Sequence, residues 1–331
     1  MKNILIFGAT GNVGSYLTLY AKSFFNPNEY KIIAIGSRKT EFFKKYDIDY
    51  YSVDITCNED FKKLPTENIH AVMLLAATIP SYMSEYNPMK YMQSNTIGAL
   101  NVLEYCRKTN ADRIIYTQTV FDISLSVKNG KKINPYTPRN FSYKGDHAVY
   151  VISKNSALEL IEHYHQEYKL KKFIFRFPTI YNYSPFHYYY PNGIKTKRPV
   201  YTMIENAIKS KPLEIWGDPN YSKDMVYVAD CSQMLCKAVL TNKEEGFYNV
   251  GTGIPITIEE QVKTIVDVFS PKDKPSKIIY KPEKPIGGGF LMDISNAIEE
   301  LGYKPEYDCK KLFEAYKREM ELNRFKELLE K

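Results

Sequence analysis

The stretch Ile6–Leu17, IFGATGNVGSYL, sets Gly8, Gly11 and Gly14 between an apolar run and an amphipathic one. A glycine-rich turn joining a strand to a helix lets backbone N–H groups and the positive helix end meet a pyrophosphate with no Cβ atoms intervening. The stretch therefore points to a dinucleotide held by Gly8, Thr10, Gly11, Asn12, Val13 and Gly14, although glycines at this spacing also serve tight turns and helix packing.

Outward from this turn, short apolar runs alternate with helical stretches: NILIF at Asn3, KIIAI at Lys31, YYSV at Tyr50, AVMLL at Ala71, RIIY at Arg113 and KFIFR at Lys172. Such alternation predicts a parallel sheet buried on both faces, an α/β, doubly wound, Rossmann-type architecture. TIGALNVLEYCRKT from Thr96 reads as one of the covering helices, with Ile97, Leu100, Leu103 and Cys106 or Tyr105 at helical spacing. After Arg176 prolines, tyrosines and basic loops take over. We expect a dinucleotide-binding domain over 1–180 that is rejoined by a segment near 222–255, with 181–331 forming a smaller, partly interleaved substrate domain.

The 331 residues carry a net charge of +7 that is dispersed in short runs such as Lys195–Arg198, which argues against a nucleic-acid partner. The five cysteines include no CxxC pair, so no metal site or redox motif is expected. The apolar runs are too short for a signal peptide or a membrane span, so a cytoplasmic protein with no membrane partner is expected.

About twenty residues beyond the glycine turn, dinucleotide-binding folds that take NAD usually place an acid on the adenosine 2′-hydroxyl. This chain has Ser37, Arg38 and Lys39 there and no carboxylate before Glu41. A 2′-phosphate suits these cations, so NADP is expected, with NAD possible. Further on, Tyr150 and Lys154 share a helix face at i, i+4. A phenol with an ordinary pKa of about 10 is a poor acid or base at neutral pH, and a neighbouring ammonium together with a cationic nicotinamide should favour its phenolate.

The order of glycine turn, Tyr150 and Lys154 resembles the extended short-chain dehydrogenase/reductases, the nucleotide-sugar epimerase/dehydratase group, and the likeness runs almost end to end. VDI at Val53 looks like the family's adenine-contacting strand end, which would give Asp54 and Ile55 to the cofactor. LLAAT at Leu74 resembles the cofactor-flanking strand and NTIGALNVLE at Asn95 the helix after it, implying cofactor contacts from Leu75, Ala76, Ala77 and Asn95. FRFPTIY at Phe175 looks like the strand beside the nicotinamide, implying Phe177 and Pro178. KDMVYVAD, YNVGTGIPITIEE and DISNAIEELGYKP resemble later signatures of the family.

By that resemblance Thr117 completes a catalytic triad with Tyr150 and Lys154, and Thr78, Thr117, Gln118, Thr119, Thr179 and Lys223 line the substrate site. Dehydratases of the family carry acids where this chain has Gln118 and Thr119, which leaves simple reduction of a keto group or epimerisation. YTQTVFD is similar to the STDYVFD of dTDP-4-dehydrorhamnose reductases, and with the expected NADP this favours a keto-sugar reductase over a 4-epimerase with retained cofactor. A non-catalytic NADP-binding sensor is the alternative outside enzymes. The diphosphate-clamping arginines of similar enzymes are replaced by Lys223 and lost within IGGGFLMD, so Lys195, Lys197 or Arg198 would hold a diphosphate, or the substrate is not nucleotide-linked. The family resemblance also implies a homodimer through helices near 96–108 and 148–164.

Overall fold

The computed structural model describes residues 1–127, 130–145, 147–285 and 288–329. Each of the six apolar runs lies on a strand: β1 Lys2–Phe7, β2 Tyr30–Gly36, β3 Asp49–Ser52, β4 Ile69–Leu74, β5 Arg113–Thr119 and β6 Lys171–Phe177. A seventh, β7 Glu245–Asn249, follows a long excursion and joins β6. All pair in parallel, in the order β7-β6-β5-β4-β1-β2-β3. The order reverses between β1 and β4, and in such a sheet a crevice opens there beyond the carboxyl ends of the strands.

The runs are continuous because both faces are covered. Along β1, Ile4 and Ile6 enter one apolar cluster with Tyr16, Leu17 and Ala21 of α1 (Asn12–Phe24). Leu5 and Phe7 enter the other, with Val102 and Leu103 of α2 (Gly98–Lys108) and Ala157 and Ile161 of α3 (His147–Tyr168). Helix α4 (Val228–Leu240) packs on the α1 side. Ile97, expected on the packed stripe of α2, is instead 48% exposed, at the end of a π-helical turn Met92–Ile97.

The excursion beyond β6 is built from short pairings. Ile180–Tyr181 pairs in parallel with Val226–Tyr227, and Ser222–Lys223 pairs antiparallel with Ile256–Thr257. Helices Pro199–Ile208, Ile258–Phe269 and Cys309–Leu322 extend the α1-side cluster, so a single apolar core runs from Ile4 to Phe313. Polar clamps fix the returning chain. The Asp224 carboxylate accepts the Thr252 N–H, the Thr252 hydroxyl and the Gly253 N–H, each at 2.8 Å. Asp230 accepts the N–H groups of Glu306 and Tyr307.

One buried ion pair ties β6 to the loop after β5. Arg176, 2% exposed, donates from Nε to Oδ1 of the fully buried Asp122 at 3.0 Å and from Nη1 to the Pro135 carbonyl at 2.7 Å. Burial raises the Asp122 pKa and lowers that of Arg176, so desolvation outweighs the attraction on both sides. Arg176→Met leaves Asp122 charged or proton-bearing in an apolar site and should lower the urea-measured unfolding free energy by about 3–5 kcal/mol. The double variant Asp122→Leu/Arg176→Met should recover most of that loss.

Candidate active site

The three glycines serve different purposes. Gly8 has φ +91°, and a Cβ on it would stand 2.6 Å from the Ala76 nitrogen. A Cβ on Gly14 would lie 2.0 Å from the Gly8 carbonyl oxygen, so α1 can start only where that side chain is missing. These two are demanded by the chain itself. Gly11 has ordinary extended backbone, φ −85° and ψ 171°, and its Cβ would meet only the Gly8 oxygen, at 3.1 Å. No side chain caps α1 and its first turn holds no acid. An uncapped helix start beside an open, side-chain-free position fits a pyrophosphate.

Around the turn, Leu75 and Ala76 donate their N–H groups to the Phe7 carbonyl and bring the half-buried Ala76, Ala77 and Thr78 to the crevice. Thr10 is buried against Gly36, whose Cβ would stand 2.5 Å from the Thr10 hydroxyl; Gly36 was missed by the sequence reading, which saw only the turn after β2. Val13 packs half-buried on the core. Asn12 makes a reciprocal amide pair with buried Asn182, at 3.1 and 2.9 Å. Ser37, Arg38 and Lys39 lie exposed at the end of β2. The Asp54 carboxylate turns to Thr56, accepting its N–H and hydroxyl, while the Ile55 carbonyl accepts the Asn101 amide at 2.8 Å. Phe177 and Pro178 are half-buried after β6, and Thr179 is exposed.

Asn95 departs from its expected place on the cofactor. Its Oδ1 accepts the Thr78 N–H at 2.8 Å, and its Nδ2 donates to the Thr78 carbonyl and to the Ser153 hydroxyl, both at 3.0 Å. Ser153 in turn donates to the Tyr150 carbonyl at 2.7 Å. The amide has no donor left for a ligand, and Asn95 instead pins the β4 loop to the helix bearing Tyr150.

Tyr150 and Lys154 are both buried, at 8% and 3% exposure. Thr119 is the threonine whose hydroxyl acts on the phenol, opposing the rise of its pKa, whereas Thr117 directs its own to the Leu74 carbonyl at 3.4 Å, toward the β4 end of the crevice. Gln118 is turned away, with Nε2 donating to Asn155 at 2.7 Å and Oε1 accepting the Thr119 N–H. The Lys154 ammonium lies 4.1 Å from the Tyr116 ring centroid, and no carboxylate pairs with it among the described residues. Burial therefore lowers its pKa to about 7. Burial, and secondarily the charge of Asp122, pushes Tyr150 up to about 12, with the Thr119 bond only partly opposing. In this geometry desolvation dominates both groups, lowering the lysine and raising the phenol.

Of the residues expected at the substrate, Lys223 is half-buried with Nζ 5.9 Å from the Tyr181 ring centroid. Lys197 is paired with Glu205 at 2.8 Å, Lys195 lies over Tyr188, and Arg198 lies over Tyr82 and Tyr189. Ile286 and Gly287 of IGGGFLMD lie outside the described residues.

Known proteins resemble this chain in sequence and in fold. The model of the NAD dependent epimerase/dehydratase family matches residues 4–251. The chain is 26% identical to UDP-glucuronate 4-epimerase of Thermodesulfobacterium geofontis, over 81% of this chain and 78% of that one. It is also 26% identical to dTDP-glucose 4,6-dehydratase of Haemophilus influenzae, over 92% and 94%. The fold matches the crystal structure of UDP-glucuronic acid 4-epimerase from Bacillus cereus in complex with NAD, with a TM-score of 0.70 and 20% identity, covering 99% of this chain and 100% of that one.

Two outcomes test the site. Gly14→Ala should destabilise the protein severely, whereas Gly11→Ala should cost much less stability and lose dinucleotide affinity in an equilibrium titration. Lys154 carries a pH signature: its lowered pKa means that the unfolded chain binds a proton the native state releases between pH 10.5 and about 7. Its contribution to stability therefore falls by about 1.4 kcal/mol per unit as pH drops through that window and is level below it. In the cofactor-free protein, Lys154→Met should resist urea better than wild type at pH 6–7, and the advantage should vanish toward pH 10.

Proposed function

We propose a reaction for a chain that belongs to the NAD dependent epimerase/dehydratase family: reduction of a keto group on a nucleotide-linked sugar. The observation that carries this reading is the buried Tyr150 phenol, one turn from the buried Lys154 on the same helix. A bound nicotinamide supplies the hydride. Tyr150 donates the proton to the carbonyl oxygen, Thr117 and Thr119 orient that oxygen, and Lys154 holds the nicotinamide ribose. Gln118 is committed to Asn155, and the Asp122 carboxylate is committed to Arg176. Neither of these two groups is then free to expel a hydroxyl, which speaks against dehydration.

We assign NADP in preference to NAD, because the end of β2 presents Arg38 and Lys39 and no carboxylate. The second reading, a 4-epimerase with retained cofactor, is favoured by the likeness to a UDP-glucuronate 4-epimerase.

Purified protein given a nucleotide 4-keto-sugar and NADPH should consume NADPH in step with product, and Tyr150→Phe should lower kcat at least about 100-fold. Interconversion of hydroxyl epimers with no net NADPH oxidation would replace reduction by epimerisation. Full turnover in the phenylalanine variant would remove Tyr150 from proton transfer.

A further inference from the structure

Beyond helix Cys309–Leu322 the chain turns at Asn323, which has φ +43°, and folds back toward the end of β2. Phe325 and Leu328 anchor this hook, at 3% and 2% exposure. The Phe325 ring lies 4.4 Å from that of Tyr16 on α1 and 5.7 Å from that of Phe42. Lys45 pairs with Glu327 at 2.5 Å. At its tip the Leu328 carbonyl accepts a hydrogen bond from Nη1 of Arg38 at 2.6 Å, across 290 residues of sequence.

The Arg38 backbone is held separately. The Tyr50 phenol contacts the Arg38 carbonyl and lies 3.1 Å from the Gly36 carbonyl, and its ring stacks on Phe43 with centroids 5.3 Å apart. Arg38 thus has its main chain fixed by Tyr50 and its side chain fixed by the C-terminal hook. A guanidinium has five N–H donors, and the hook occupies one of them. The others stay available to a phosphate, which arginine binds with paired donors.

We propose that the hook, residues 324–329, is a specificity element of the cofactor site, orienting Arg38 for the 2′-phosphate of NADP. The proposal rests on the NADP assignment above. An exposed arginine visits many rotamers, and a partner that selects one removes that entropy before the ligand arrives. The hook is a positioning element: it acts through Arg38 and meets neither the hydride nor the sugar. Only a ligand that uses the guanidinium gains from it, so NADPH and NADH should respond differently.

The test is equilibrium titration of NADPH and NADH against the full chain, a chain ending at Asn323, Arg38→Ala, and the two changes combined, with thermal melts to verify folding. Wild type should bind NADPH the more tightly. Removing the hook should weaken NADPH by about three- to tenfold and leave NADH unchanged, and in the Arg38→Ala background it should change neither. If the shortened chain does not fold, Phe325→Ala loosens the hook and carries the same comparison. An unaltered NADPH-to-NADH ratio after loosening the hook would overturn the proposal. So would an equal loss in the Arg38→Ala background, since the hook would then act on the fold generally. A wild-type preference for NADH would instead overturn the NADP assignment on which the proposal stands.

Discussion

The architecture depends on one close approach, in which the Gly8 turn, the start of α1 and the end of β4 meet with no side chain between them. Gly8 presses on Leu75 and Ala76, and Gly14 presses on the Gly8 carbonyl. This contact sets how near α1 stands to the sheet at the point where strand order reverses. It also leaves the first helical turn without a side-chain cap. Packing thus demands the two glycines Gly8 and Gly14 outright, and Gly11 much less strictly.

A second constraint is electrostatic. Lys154 is buried with an aromatic ring as its neighbour, and Tyr150 beside it is buried with a hydroxyl as its partner. Burial disfavours the charged form of each group. A site built in this way is destabilising by itself and needs the surrounding scaffold to enforce it. Here the scaffold is polar. Asn95, Ser153 and the Thr78 backbone lock the helix bearing Tyr150 to the β4 loop. Asp122 with Arg176, and Asp224 with residues 252–253, lock the loops around it.

These locks spend polar groups that the resemblance alone could not place. Asn95 and the acids of KDMVYVAD, Asp224 and Asp230, are bonded within the chain. Their hydrogen-bonding capacity is spent on the chain, because buried polar groups must find partners. Likewise Thr117 and Thr119 are equivalent in sequence, two residues apart on one strand end. Which of them meets the phenol depends on how α3 is rotated against β5, and no local pattern encodes that.

The sequence by itself determined the layered α/β architecture, six of the seven strands of the sheet, the helix bearing Tyr150 and Lys154, and the glycine turn. Each of these is a local matter of apolar periodicity, helix spacing or missing Cβ atoms. The tertiary structure alone decided which glycines close packing demands, that Tyr150 and Lys154 are both desolvated, and that Arg38 meets the Leu328 carbonyl. Those outcomes arise between residues up to 290 positions apart. They turn on desolvation and on directional hydrogen bonds, both of which exist only once distant segments have packed.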